Sequence, residues 1–183
     1  MQPETQQHGL KPGAIIVMGV SGSGKSTIGK LLAEALACPF IEGDDLHCPA
    51  SIEKMRAGLP LGDDDRWPWL DRLAATLRDA TQTHGLAVAA CSALKYRYRE
   101  RLVTAITPPI SFIMLETDRT ELVRRIDRRT GHYMPSSLLD SQLAALEMPR
   151  AGERALILNA SLPPEDLCRA SRDWLAGENA RKV

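Results

Sequence analysis

The sequence predicts an α/β protein in which a parallel β-sheet is covered on both faces by helices. Short apolar, β-branched runs alternate along the chain with amphipathic helical patterns, which is typical of this class. The first run, at 14–18, is apolar throughout, as expected for a strand buried on both faces, and a glycine-rich loop joins it to a helical pattern. With 183 residues, 44% of them hydrophobic, the chain is long enough for one compact domain and short for two.

The elements follow one another in a regular order. The first strand, AIIVM at 14–18, stops at Gly19, and the helix after the loop carries Ile28, Leu32 and Leu36 on one face. Further strands are predicted at 39–43, 86–91, 110–115 and 155–158. Further helices are predicted at 65–83, 95–105, 119–129, 136–146 and 164–175.

Composition excludes several classes of partner. Twenty-three Lys and Arg balance 23 Asp and Glu, so we expect no binding to nucleic acid or to an anionic membrane surface. The longest nearly apolar run, 13–20, is far shorter than the roughly 20 residues of a transmembrane helix. Residues 1–12 lack the pattern of a secretory signal and are predicted to form a flexible tail. The four cysteines have no metal-ligand spacing, which favours a reducing, cytoplasmic location.

The loop GVSGSGKS matches the phosphate-binding pattern GxxxxGK[ST] and stands between a predicted strand and a predicted helix. Its glycines allow backbone N–H groups to surround phosphate oxygens, and the helix N-terminus attracts negative charge. Lys25 is expected to reach the β- and γ-phosphates as a catalytic group, and the Ser26 hydroxyl to bind Mg²⁺. The predicted ATP-binding residues are Gly19, Val20, Ser21, Gly22, Ser23, Gly24, Lys25, Ser26, Thr27 and, by the adenine, Arg125. The chain has neither DxxG nor NKxD, so a GTPase is disfavoured.

Polar residues follow the second and third strands, where ligands of a parallel sheet gather. Asp44 is predicted to orient or deprotonate the acceptor hydroxyl; the alternative is a helix cap or turn. His47 suits either a substrate hydrogen bond or loop packing. A cluster of arginines before Gly131 forms either a solvated helix face or a lid, in which Arg129 would stabilise the transferring phosphoryl group as a catalytic residue.

The chain contains five recognisable segments: GVSGSGKS, GDDLH, IEKMRAGLPLGDDDRWPWL, CSALKYRYR and GHYMPSSLLDSQLAALEMP. In this order and spacing they resemble the gluconokinase family of small P-loop kinases. The resemblance covers about residues 15–150. It implies ATP- and Mg²⁺-dependent phosphorylation of D-gluconate at the 6-hydroxyl. It also implies a three-layer P-loop kinase fold with a five-stranded sheet in the order 2-3-1-4-5. The single domain would span 13–178, with a substrate-binding helical insert at about 45–84 and a lid at about 128–136.

The resemblance also implies site residues. The positions that match a sugar-acid pocket are Asp44, His47, Lys54, Arg66, Lys95, Arg99 and His132. A carboxylate substrate independently favours cations with forked donors, although Arg66 could instead pair with the neighbouring aspartates 63–65. Relatives of this size are commonly dimers, so a homodimer is expected.

Two alternatives stay open. One is a kinase for another small hydroxylated acid, resembling shikimate kinase, or for a nucleoside monophosphate. The other is a P-loop protein that binds nucleotide without transferring phosphate, against which Asp44, Lys95 and the arginines near 129 argue, because a pure binder has no use for an acceptor pocket.

Overall fold

The structure is a computed structural model that describes residues 10–128 and 138–180. Five strands form one sheet in the order β2-β3-β1-β4-β5, and all neighbouring strands pair in parallel. The strands are β1 (Gly13–Met18), β2 (Phe40–Glu42), β3 (Leu86–Ala90), β4 (Ile110–Glu116) and β5 (Ala155–Asn159). The predicted α/β class and strand order are confirmed.

Seven helices in the described residues surround the sheet. They are α1 (Lys25–Ala35), α2 (Pro49–Arg56), α3 (Asp63–His84), α4 (Tyr96–Ala105), α5 (Arg119–Asp127), α6 (Leu139–Ala145) and α7 (Pro164–Ala180). A 3₁₀ turn at Gly43–Leu46 follows β2. The sequence pattern predicts no separate helix at 49–56, a range that lies inside the predicted helical insert. No helix in the described part of the chain is long and apolar enough to cross a membrane.

The central strand β1 divides the core into two layers because its side chains alternate between the two faces of the sheet. Ile16 and Met18 pack in the cluster that contains α3 and α4, whereas Ile15 and Val17 pack in the cluster that contains α1 and α7. Every residue of β1 is buried. The carboxyl end of β1, which leads into the glycine-rich loop, is therefore held from both sides.

Candidate active site

The phosphate loop connects β1 to α1, and its glycines are required by backbone geometry. Gly19, Gly22 and Gly24 have φ of 140°, 84° and 99°, which side-chain-bearing residues rarely adopt. A Cβ on Gly19 would also lie 2.7 Å from the carbonyl oxygen of Leu115 on β4. The motif thus marks the path that the chain must follow between strand and helix.

The loop presents donors to an anion. Gly24 precedes α1 and has no side chain to cap it, which leaves the first-turn N–H groups for a ligand. The Lys25 ammonium lies over the loop and donates to the carbonyl of Val20 at 3.0 Å. Ser26 follows on the first turn of α1. This arrangement suits the phosphates of a nucleoside triphosphate.

The segment after β2 forms the predicted acceptor side of the site. Gly43 lets this segment approach β3 closely, because a Cβ there would lie 2.3 Å from the carbonyl oxygen of Ala90. The following Asp44 lines one pocket together with Lys25 and Ser26 of the phosphate loop and with Arg66 of α3. The structure therefore brings together the predicted donor-side and acceptor-side groups, which lie far apart in sequence.

His47 lines the same pocket and is held against Trp69. The two rings stack with centroids 4.3 Å apart, and the Trp69 indole N–H donates to the carbonyl of Gly43 at 2.6 Å. Burial lowers the pKa of His47 to about 4; Asp44 opposes this shift, and the charges of Arg66 and Arg72 add to it. His47 is therefore neutral at neutral pH, and its buried Nδ1 has no hydrogen-bond partner among the described residues.

Arg66 points its guanidinium toward the pocket instead of pairing with the aspartates beside it. Its buried Nε has no hydrogen-bond partner within residues 10–128 and 138–180, and its guanidinium lies 5.5 Å from the centre of the Tyr98 ring. No ion pair links Arg66 to Asp63, Asp64 or Asp65 in that part of the chain. The alternative that the sequence left open, pairing with the neighbouring aspartates, is therefore not formed in that part of the chain, and Arg66 lines the pocket.

Lys54 and Lys95 are held by the aspartates of the first turn of α3. Lys54 donates to Asp65 at 2.7 Å, and Lys95 donates to Asp63 at 3.1 Å, where Arg97 and the Tyr98 hydroxyl also meet that carboxylate. Hydrogen bonds lower the pKa of both aspartates. The main donor is the Tyr98 hydroxyl for Asp63 and the Lys54 ammonium for Asp65. Neither lysine lines the acceptor pocket.

Arg99, expected at the substrate pocket, lies in the protein interior. Its side chain is 0% exposed, and its Nε donates to the Glu153 carboxylate at 2.6 Å. Its terminal nitrogens donate to that carboxylate and to the carbonyls of Ala93, Leu94, Glu147 and Met148. With every donor direction engaged, Arg99 ties α4 to the segment before β5, in place of the substrate contact that the family resemblance implied.

A second cavity, of about 340 Å³, lies on the other side of the phosphate loop. Gly24, Thr27 and Arg125 line it together with Arg128 and the segment after β5. Arg125 is fixed there by donating to Glu121 at 2.6 Å and to the carbonyl of Ala160 at 2.9 Å. Arg124 and then Arg125 lower the pKa of Glu121 to about 2. Arg125, which the sequence predicts by the adenine, thus lines a cavity beside the phosphate loop.

Two sets of residues differ between the sequence prediction and the described structure: predicted residues that are not described, and pocket residues that were not predicted. Arg129, His132 and most of the predicted lid lie outside the described residues. The sequence did not point to Trp69 or Gln142, both of which line the acceptor pocket. Each stands within a segment quoted for the family resemblance, but uncharged side chains give no chemical signal in a single sequence.

A strand, a phosphate loop and a helix on this parallel sheet, with a carboxylate and an arginine facing the loop lysine, define a P-loop kinase. Comparison with known proteins agrees with this class. An AAA domain family model matches residues 15–149. The chain is 46% identical over 165 residues to the gluconokinase of Gluconobacter oxydans, covering 90% of this chain and 92% of that one.

Solved structures give the same result. A gluconokinase from Sinorhizobium meliloti superimposes with a TM-score of 0.83 at 44% identity, over 94% of this chain and 96% of that one. A sugar kinase from Janibacter superimposes with a TM-score of 0.84 at 40% identity, over 88% of this chain and 93% of that one. The chain belongs to the gluconokinase family.

Proposed function

We propose that this protein transfers the γ-phosphoryl group of ATP to the 6-hydroxyl of D-gluconate, giving 6-phospho-D-gluconate and ADP. The observation that carries the proposal is a single pocket that combines the phosphate-loop groups Lys25 and Ser26 with Asp44, His47 and Arg66. A protein that only holds nucleotide has no use for these acceptor-side groups. Relatives named as gluconokinases support the choice of acceptor.

In the proposed reaction the 6-hydroxyl oxygen attacks the γ-phosphorus while the bond to the β,γ-bridging oxygen breaks, leaving ADP. The hydroxyl proton passes to the Asp44 carboxylate, which also aligns the oxygen. Lys25 stabilises the charge on the phosphoryl oxygens. Arg129, outside the described residues, is proposed to close over the same oxygens.

Mg²⁺ fits the donors of this site. The Ser26 hydroxyl and the Asp44 carboxylate line the same pocket, and both are the hard oxygen donors that Mg²⁺ prefers alongside phosphates and water. We propose that Ser26 holds the ion directly. When bound, the ion neutralises phosphate charge.

Arg66 is the proposed partner of the substrate carboxylate. Its fork of donors matches a carboxylate in geometry, and its buried Nε has no partner among the described residues. A bound carboxylate would satisfy that nitrogen. His47, neutral and stacked on Trp69, is proposed to hydrogen-bond a substrate hydroxyl. Lys54 and Lys95 would act indirectly. They hold Asp65 and Asp63 at the start of α3, and Arg66 comes directly after these aspartates.

The function is tested by coupled ADP release with Mg-ATP across a panel of acceptors: D-gluconate, other sugar acids, shikimate, free sugars and nucleoside monophosphates. We expect strong turnover with gluconate alone, and a product whose phosphorus couples to the C6 protons in NMR. Turnover with another acceptor and none with gluconate would refute the proposed substrate. ATP binding without turnover on any acceptor would refute the kinase assignment.

The substrate carboxylate is tested by comparing Arg66→Met with Lys54→Met. Loss of a charged, forked contact worth about 2–3 kcal/mol should raise the KM for gluconate by about 30- to 150-fold in the Arg66 variant. Lys54→Met should change that KM by less than about threefold, because the Lys54 ammonium is engaged by Asp65 at 2.7 Å. The opposite ranking would assign the carboxylate to Lys54.

Two wider proposals follow from the same assignment. Dependence on ATP favours a cytoplasmic location. A homodimer is proposed because relatives of this size are commonly dimers. Light scattering coupled to gel filtration distinguishes a dimer of about 40 kDa from the 20.1 kDa monomer. A mass of 20.1 kDa at micromolar protein concentration would refute the dimer.

A further inference from the structure

Gln142 on α6 reaches the phosphate loop from a distant part of the chain. Its Oε1 accepts a hydrogen bond of 2.6 Å from the backbone N–H of Ser21, which is 121 residues away in sequence. Gln142 is 8% exposed and Ser21 is also 8% exposed, so water competes little with this bond. Both residues line the acceptor pocket beside Lys25 and Asp44.

The packing around this bond fixes α6 against the loop. Val20, the neighbour of Ser21, is buried in a small apolar cluster with Leu139 of α6 and with Leu122 and Ile126 of α5. Just beyond α6, the N–H of Glu147 donates to the carbonyl of Leu94 at 2.8 Å. Apolar contacts set how close α6 lies, but they do not orient a peptide group. The Gln142 carboxamide supplies that orientation at Ser21.

We infer that Gln142 is a positioning residue for phosphoryl transfer: its carboxamide fixes the Ser21 peptide at the acceptor side of the phosphate loop. The γ-phosphoryl group is thereby presented in line with the acceptor hydroxyl at Asp44. The inference rests on the proposed kinase function. A small displacement of the loop at this point would misalign donor and acceptor and slow transfer, without removing the glycines and the α1 N-terminus that bind the phosphates.

Because α5 ends at Asp127 and α6 begins at Leu139, the two helices flank residues 129–137 in the chain. Gln142 therefore links the phosphate loop to the helix that follows that segment in the chain. The sequence does not predict the hydrogen bond between Gln142 and Ser21, because the two residues lie far apart in the chain and an amide side chain carries no charge.

The test uses Gln142→Met and Gln142→Glu in the full chain, with Gln82→Met, an exposed glutamine of α3, as the matched control. Methionine keeps the length of the side chain and loses the acceptor. We expect kcat to fall by tenfold or more in Gln142→Met, with the Kd for ATP changed by less than threefold and the melting temperature lowered by only a few degrees. Gln82→Met should match the wild type.

Gln142→Glu separates positioning from a purely structural link. The introduced carboxyl still accepts from the Ser21 N–H, but when ionised it places negative charge beside the transferring phosphoryl group. Activity relative to Gln142→Met should therefore recover as the pH falls through the pKa of the introduced carboxyl. Lys25, Asp44, Arg66 and neutral His47 line the same pocket in both variants, which differ from each other only at residue 142.

An unchanged kcat in Gln142→Met would overturn the inference. It would also be overturned if kcat and melting temperature fell together in Gln142→Met and activity did not recover at low pH in Gln142→Glu. The wild-type acceptor panel reports separately on the proposed function. If another acceptor replaces gluconate, the same variant ratios are measured with that acceptor. No turnover on any acceptor would overturn both proposals.

Discussion

Arg99 offers a direct test of whether a buried cation serves the fold or the substrate. In Arg99→Met the Glu153 carboxylate, 11% exposed, loses the guanidinium that binds it at 2.6 and 3.0 Å, and four backbone carbonyls lose a donor. Breaking a buried pair by removing one partner costs about 3–5 kcal/mol of the free energy of unfolding. For a chain of this size that lowers the melting temperature by about 6–20 °C.

Urea unfolding and calorimetry measure this loss, and two controls define its origin. Arg101 binds Asp71 with the same forked geometry, at 2.7 and 2.8 Å, but on the surface, where the two side chains are 42% and 52% exposed. Arg101→Met should therefore cost no more than about 1 kcal/mol. Adding Glu153→Gln to Arg99→Met should restore part of the stability, because the uncompensated charge is removed.

Kinetics on the folded Arg99→Met protein complete the test. The KM for gluconate should stay within about threefold of the wild type, because Arg99 does not line the acceptor pocket. A tenfold or greater rise in this KM with an unfolding free energy changed by less than about 1 kcal/mol would refute the reasoning. It would restore the substrate role that the family resemblance implied.

Three further outcomes are expected. Asp44→Asn keeps the shape of the side chain but not its basicity, and should lower kcat by about 10²-fold or more; a change confined to ATP affinity would contradict its role. Gly43→Ala should cost about 2 kcal/mol or more in urea unfolding, because its Cβ would meet the carbonyl oxygen of Ala90 at 2.3 Å, whereas exposed Gly177→Ala in α7 should stabilise by about 0.5–1 kcal/mol. The pKa of His47 is about 4 when folded and near 6.5 when unfolded, so between those values the unfolded chain binds the extra proton. Between pH 7 and pH 4 the free energy of unfolding of the wild type should therefore fall by up to about 3 kcal/mol more than that of His47→Asn, and by less where solvent reaches the ring. Parallel plots of unfolding free energy against pH for the two proteins would show that His47 is not desolvated.

Local chemistry made much of this protein predictable. The glycine pattern specifies positive φ at Gly19, Gly22 and Gly24, and buried apolar runs specify strands covered on both faces. These signals span a few residues each, so a single sequence contains them in full. The strand order of the sheet, in which β1 lies between β3 and β4, was predicted from the family resemblance, because periodicity alone does not order strands.

Basic residues show where prediction from the sequence ended. The sequence offered several cations for one carboxylate substrate and could not rank them, because each depends on a partner elsewhere in the chain. Lys54 pairs with a carboxylate 11 residues away, Lys95 with one 32 residues away and Arg99 with one 54 residues away. Arg66 stands next to three aspartates in sequence and pairs with none of them among the described residues.

The sequence by itself determined the phosphate loop, the α/β class and a carboxylate, Asp44, placed directly after β2, because each is encoded in contiguous residues whose chemistry acts locally. Only the tertiary structure decided which cation faces the acceptor pocket, that His47 is neutral, and that Gln142 holds Ser21. Pairing, desolvation and hydrogen bonding between distant residues depend on distance in space, and only the folded chain sets those distances.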